Sequence, residues 1–262
     1  MVFYPCIGYL ADFLEDRFKD TSKHEAQFIR KLTPQIPEAA LQALDQEVEH
    51  LYHKVMKLLR ANFNQQATAS FNLDFTKSDD QVTLKRQYKQ IKQLEGEMFQ
   101  FYTGIQQQPM EESDSKRLSQ LINAIRYLLH AAKGAKDIHK NLLEIRNSTD
   151  STVNRLFNII KDGHIKFYKE LENLWAEGPG ATLYEDLTEM LLKNQTLYEE
   201  LLDSIYRDLS RKKLSQIEIS TVLNVNRELF SSRKALIMAL KEYNLNYQES
   251  SDFQNLPVSL GL

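Results

Sequence analysis

Two segments of the chain carry charged side chains at helical spacing, and these residues are the best candidates for chemistry. On a helical wheel with about 100° per residue, the charges fall within about 60° of Ile122 in the first segment and sit in the same way around Leu223 in the second. We name this set the basic stripe; it consists of Arg126, Lys133, Asp137 and Lys140, followed by Arg227, Lys234 and Lys241. The stripe is therefore predicted to lie on or beside the core-facing side of two helices.

Cations beside a core need a counter-charge, because an unpaired buried charge is costly. One interpretation is a network of interhelical salt bridges. The candidate carboxylates on other helices are Glu47, Glu95, Glu97, Glu199, Glu200 and Asp203. The other interpretation is an anion site between helices for phosphate or a nucleotide, since Lys and Arg at this spacing can bind phosphate oxygens. Salt bridges are the simpler interpretation, but the residues alone leave both open.

Other constellations give no support for catalysis or a cofactor. Glu47 and His50 have the Glu-x-x-His spacing of carboxylate di-metal bundles, but such sites need two copies and we find one. Cys6 is the only cysteine, and the chain shows no Walker loop, zinc motif or Ser/His/Asp order. A net charge of −3 gives no general attraction to nucleic acid. We therefore expect a protein that is not an enzyme and has no metal, cofactor or nucleic-acid partner.

The elements that position these residues are predicted to be long helices. Only 8 Gly and 6 Pro occur in 262 residues, too few for a β-sandwich, a propeller or a Gly-rich nucleotide fold. Apolar steps of three and four predict helices at 37–63, 81–108, 115–146, 150–176, 183–211 and 216–246. Ser148 and Thr149 are candidate caps, and Ser215 with Glu218 predicts a capping box. Residues 64–80 predict a loop.

The third and sixth helices resemble each other. A shift of 101 residues aligns 119–140 with 220–241. The identical pairs are Ser119/Ser220, Asn123/Asn224, Arg126/Arg227, Lys133/Lys234 and Lys140/Lys241. Chance can produce an isolated polar match, but this many at one offset predict a duplicated three-helix unit. The expected fold is all-α, a tandem pair of three-helix bundles at 37–147 and 148–248, with a flexible, frayed tail at 249–262.

The first residues of the chain allow two interpretations. Residues 1–18 are rich in apolar side chains but too short to span a membrane, which needs about 20 apolar residues. They form either an apolar latch that packs on the domain or the inner end of a membrane helix that begins upstream. The residues alone favour the latch, because exposed apolar surface is normally covered.

Two stretches resemble PhoU-like domains. The segment 122–145 (INAIRYLLHAAKGAKDIHKNLLEI) is similar to the third-helix signature of that family. Its AAKGAKD portion at 131–137 is similar to the form fused behind bacterial sodium/phosphate cotransporters. The segment 36–59 (IPEAALQALDQEVEHLYHKVMKLL) resembles the opening helix of that fused domain. The resemblance covers residues 37–247 and implies a tandem of three-helix bundles with six long helices.

The resemblance also implies a function. It points to a non-catalytic regulatory domain of a sodium-dependent phosphate cotransporter-like protein, on the cytoplasmic face of the bacterial inner membrane. In such fusions the domain follows the last membrane helix directly, so residues 1–36 would be the end of that helix plus a linker. The partner would be the membrane-embedded transporter region of the same polypeptide, with phosphate or another anion as a candidate ligand and a homodimer left open. The alternative is a free-standing PhoU-type regulator that acts in phosphate signalling or binds metal.

The positions that hold metal clusters in PhoU proteins are altered here. The family pattern is an acid followed four residues later by Asp on the third and sixth helices. Asp137 is retained, but Lys133 replaces the acid before it, and Lys234 and Met238 occupy the corresponding positions on the sixth helix. The resemblance therefore implies that the metal site has been lost.

Overall fold

A computed structural model describes residues 24–63, 77–210 and 215–256. These residues form seven α-helices and one 3-10 turn at Ile29–Lys31, and they contain no strand. In chain order the helices are α1 (Pro37–Ala61), α2 (Lys77–Gln106), α3 (Glu112–Arg146), α4 (Ser151–Glu177), α5 (Leu183–Ser210), α6 (Gln216–Asn244) and α7 (Tyr247–Gln254). The all-α prediction is confirmed, and the first six helices begin and end within four residues of the predicted limits.

Local sequence accounts for several helix ends. Pro37 opens α1. The N–H groups of the first helical turn have no acceptor within the helix, so a proline at this position costs no hydrogen bond. The predicted capping box of α6 is confirmed, since Ser215 and Glu218 each bond the backbone N–H of the other. The N-cap of α4 is Asp150, not the predicted Ser148 or Thr149. At the other end of α4, Gly178 has a φ of 69°, a conformation that favours glycine and ends the helix.

The antiparallel helices α3 and α6 form the centre of the molecule and share its most extensive helix–helix contact. At one end Arg117 Nη1 donates to the carbonyl of Tyr243 at 2.8 Å, and in the middle Ser232 Oγ donates to the carbonyl of Ala131 at 3.1 Å. Ala131 and Ser232 are 101 residues apart, the offset of the predicted repeat. Equivalent residues meet in this way when a two-fold axis passes between two copies. The tandem repeat itself stays a prediction.

The remaining long helices flank this pair on both sides. Helices α1 and α2 pack with α3, and α4 and α5 pack with α6. Between the two sets, Tyr52 of α1 stacks on Trp175 of α4, and Trp175 stacks on Tyr243 of α6. One continuous apolar core therefore runs through both sets of helices.

The polar tail after Tyr247 was expected to fray, but its first part is a helix. Helix α7 begins with a capping box between Asn246 and Glu249. Phe253 is fully buried and meets Tyr184 of α5 edge to face at 5.4 Å. The prediction of a flexible tail is therefore wrong as far as Gln254, because a buried aromatic ring and a capping box offset the polar composition.

Three predictions fall wholly or partly outside the described residues. The proposed end of a membrane helix at 1–18 lies entirely outside them, as do residues 64–76 of the predicted loop and residues 257–262 of the tail. Helix α2 begins at Lys77, inside the predicted loop. Among the described residues, no helix is both long enough and apolar enough to cross a membrane.

Candidate functional site

A buried carboxylate on α1 holds the segment that leads into the bundle. The side chain of Glu47 has no exposed surface. Its Oε2 accepts hydrogen bonds from the backbone nitrogens of Gln27, Phe28 and Ile29 at 3.0, 2.7 and 3.2 Å. These N–H groups open the 3-10 turn, so the carboxylate caps that turn and is itself satisfied by several donors.

A second carboxylate, on α2, binds the two residues just before. The backbone nitrogens of Glu25 and Ala26 lie 3.1 and 2.9 Å from the carboxylate oxygens of Glu97. The Glu25 side chain accepts from Lys54 Nζ at 2.8 Å and from Gln90 Nε2 at 3.0 Å. Burial alone would raise the pKa of Glu25, but the hydrogen bond and charge of Lys54, with the bond from Gln90, lower it below its ordinary value.

We call Glu47 and Glu97 the linker clamp, because together they bind the backbone N–H of every residue from 25 to 29. The Glu-x-x-His pair serves this clamp: His50 Nδ1 lies 2.7 Å from Glu47 Oε1, and His50 Nε2 lies 3.2 Å from Gln27 Nε2. Within residues 24–63, 77–210 and 215–256, no three potential metal-binding side chains come together.

The first half of the basic stripe lies on the outer side of α3. Its members, Arg126, Lys133, Asp137 and Lys140, are all exposed. The prediction placed them on or beside the core-facing side, and their exposure excludes a position on it. The buried side of α3 is centred near Leu128, about 120° from Ile122 on the wheel, and it is rich in alanines that let α6 approach closely. Asp137 pairs with its neighbour Lys136 at 3.1 Å.

The equivalent cations of α6 also differ from the prediction. Arg227 is exposed and contacts Glu228 on its own helix at 3.2 Å. Lys234 is half-buried, and this burial lowers its pKa. Because Arg126, Lys133 and Arg227 are all exposed, these described residues do not form an anion site enclosed between helices.

Lys241 is the stripe residue that lies within the core. Its side chain is fully buried, with Nζ 2.8 Å from Glu242 Oε1 and 3.0 Å from the carbonyl oxygen of Ser250. This ion pair joins neighbouring residues of α6, so it is not one of the predicted interhelical salt bridges, and its partner is not one of the acids proposed from the sequence. Helix α7 supplies the second contact and covers the lysine.

A buried polar cluster next to the stripe was missed from the sequence. Arg233 is only 3% exposed and lies between α4, α5 and α6. Its Nε donates to Asn194 Oδ1 at 2.6 Å, and its Nη1 donates to His164 Nε2 at 3.3 Å. Its guanidinium lies 5.8 Å from the centre of the Phe167 ring. No carboxylate among the described residues forms an ion pair with it.

Three buried polar atoms of this cluster have no hydrogen-bond partner in the described part of the chain: Arg233 Nη2, His164 Nδ1 and the Tyr168 hydroxyl. Burial lowers the pKa of Arg233 to about 10 and, with the charge of Arg233, holds the pKa of His164 well below its ordinary value. At pH 7 Arg233 is therefore charged and His164 neutral. Since His164 Nε2 accepts from Arg233, the histidine proton is on Nδ1. Burial also raises the pKa of Tyr168, which keeps its proton.

A separate open cavity of about 440 Å³ lies where α1, α3, α4 and α6 meet. Its polar groups bind one another: Arg117 pairs with Asp45, and the Tyr243 hydroxyl lies 3.1 Å from Asp45 Oδ2. Trp175 forms part of the wall. Asn244 Nδ2, which also lines the cavity, has no hydrogen-bond partner among the described residues, whereas the Arg233 cluster has three such atoms, so the cavity offers a ligand fewer free contacts.

No family model, curated protein or solved structure matches the chain.

Proposed function

We propose that the chain is the regulatory domain of a sodium-dependent phosphate cotransporter-like membrane protein and follows directly on its membrane helices. In this proposal the domain catalyses no reaction and acts at the cytoplasmic face of the bacterial inner membrane. Support comes from the resemblance of residues 36–59 and 122–145 to PhoU-like domains and from the all-helical fold. The free-standing PhoU-type regulator is the alternative that the experiment below must separate from it.

The observation that carries the proposal is the linker clamp. A domain can bias the conformation of a transporter only if it makes different contacts in different transporter states. A flexible linker would transmit little of this difference in contacts to the transporter, whereas a segment bound through its backbone moves with the bundle. Glu47 and Glu97 bind five successive backbone N–H groups, at residues 25–29, in the segment that precedes α1. The clamp would join the upstream region firmly to α1 and α2.

The decisive experiment uses the native gene with its complete reading frame. Cells that express it are fractionated, and sodium-dependent uptake of labelled phosphate is measured for the wild type, Glu47→Ala and Glu49→Ala. Glu49 is the matched control, since it is an exposed glutamate on the same helix. We expect a membrane-bound protein whose uptake changes at least twofold in Glu47→Ala, at equal membrane abundance, and stays unchanged in Glu49→Ala.

Two results would contradict the proposal. A native start at Met1 with all of the protein in the soluble fraction would favour the free-standing regulator. Uptake that is equal in the wild type and in Glu47→Ala would show that the clamp does not couple the domain to transport.

A further inference from the structure

We propose that the Arg233 cluster binds a compact inorganic anion between α4, α5 and α6. The inference does not depend on the membrane connection, because it concerns the interior of the bundle. It also differs from the anion site expected along the basic stripe, whose α3 members are exposed.

The Arg233 guanidinium is a buried positive charge. Arg233 is 3% exposed, and no acidic side chain among the described residues forms an ion pair with it. Removal of a cation from water without a counter-ion costs several kcal/mol. The contacts that it does make, with Asn194 and the neutral His164, supply acceptors but no negative charge. A bound anion would supply it.

The unpartnered atoms of the cluster are all hydrogen-bond donors. Arg233 Nη2, His164 Nδ1 and the Tyr168 hydroxyl are buried, have no hydrogen-bond partner and carry hydrogens that they can donate. His164 and Tyr168 lie one turn apart on α4, with ring centres 5.5 Å apart. A group of donors with no acceptor is poorly satisfied by the protein alone. An anion accepts from donors of this kind, and the charged Arg233 Nη2 is the strongest of the three.

The surrounding residues hold the side chains of the cluster in place. Asn194 Nδ2 donates to the carbonyl of Phe230 at 3.1 Å, which leaves its Oδ1 directed to Arg233. Phe63 stacks on the His164 ring with centres 4.9 Å apart. These contacts fix the donors before any ligand arrives, so little conformational entropy is lost on binding.

Chloride and phosphate share this chemistry, and one titration separates them. The 262-residue chain is unfolded thermally in sodium gluconate, sodium chloride and sodium phosphate at constant ionic strength. A ligand that binds only the native state raises the Tm with its concentration. We expect a saturable rise of several degrees with chloride or with phosphate, and the anion that acts at the lower concentration is the ligand.

Three variants test the assignment to Arg233. Arg233→Met should abolish the rise, and Lys234→Met, the neighbouring half-buried cation, should retain it. Tyr168→Phe keeps the ring, removes one donor and should weaken the apparent affinity roughly tenfold. A rise that does not saturate, or that is equal in the wild type and Arg233→Met, would overturn the proposal. Should Arg233→Met fail to fold, an unchanged affinity in Tyr168→Phe overturns it.

Discussion

Tyr52 of α1 lies flat against Trp175 of α4, with ring centres 3.6 Å apart and planes only 3° apart. Trp175 in turn stacks on Tyr243 of α6 at 4.8 Å. The stack joins α1 of the first set to α4 and α6 of the second, next to the end of the α3–α6 pair where Arg117 contacts Tyr243. It gives the two halves of the molecule a second point of contact.

Truncation of Trp175 should destabilise the whole bundle. The side chain is 7% exposed, so Trp175→Ala should lower the free energy of unfolding by about 3–5 kcal/mol, whereas Trp175→Phe keeps a stacked ring and should lose less than half of that. Urea denaturation followed by far-UV circular dichroism measures both. A loss below about 1 kcal/mol in Trp175→Ala would show that the stack contributes little.

The linker clamp should be visible in amide hydrogen exchange. Glu47→Ala removes the acceptor of the N–H groups of residues 27–29. Because the linker can detach and become hydrated, we expect Glu47→Ala to lower the free energy of unfolding by only about 1–3 kcal/mol. Those three amides should also exchange much faster. The free energy of unfolding of Glu49→Ala should stay within about 0.5 kcal/mol of the wild-type value. Unchanged protection at 27–29 in Glu47→Ala would contradict the clamp.

The Glu25–Lys54 pair should make stability depend on acid pH. The pKa of Glu25 in the folded protein lies below its ordinary value of 4.5. The unfolded chain therefore binds more protons in this range, so the contribution is complete above pH 4.5 and is lost as the pH falls through the folded pKa. We expect the difference in free energy of unfolding between the wild type and Lys54→Met to shrink as the pH falls through the pKa of Glu25 in the folded protein. A difference that is constant from pH 7 to pH 3 would refute the assignment.

Helix α7 should contribute to stability in spite of its polar composition. Phe253 is fully buried, so Phe253→Ala should cost about 3–5 kcal/mol in urea denaturation. The exposed Ser251 provides the control, and Ser251→Ala should be neutral within about 0.5 kcal/mol. Equal stabilities of the two variants would mean that the segment does not pack on the bundle in solution.

The exposed arginines of the basic stripe should not support the fold. Arg126 and Arg227 are both exposed, and ion pairs on a surface contribute little. Arg126→Ala and Arg227→Ala should each change the free energy of unfolding by less than about 0.5 kcal/mol. A loss above about 1.5 kcal/mol in either variant would restore the core-facing interpretation of the stripe.

Sequence periodicity predicted the six long helices because their large apolar residues recur at helical spacing. It misplaced the charges of α3 because the wheel was centred on Ile122. The contact with α6 is made instead by a side of the helix that includes Ala131 and Ala135, which are fully buried although they are small. Close approach of two helices depends on the absence of side-chain volume, a signal that a search for large apolar residues overlooks.

The candidate site was less predictable than the fold. Arg233 lies four residues after Leu229 and three before Leu236, both buried, so its place on the core side of α6 was present in the pattern. The repeat drew attention to Lys234 instead. Glu47 likewise lies among buried residues of α1, but its partners are backbone N–H groups, which every residue except proline carries. No sequence pattern marks such a partner.

The pairing of α3 with α6 has a consequence for synthesis on the ribosome. Ala131 contacts Ser232, a residue that is translated 101 positions later. At about 5–20 residues per second, the ribosome needs on the order of 5–20 s to make that stretch. During this time the alanine-rich side of α3 has been made, but its covering helix has not. This side of α3 is where a chaperone, or α3 of a second nascent chain, would compete with correct assembly.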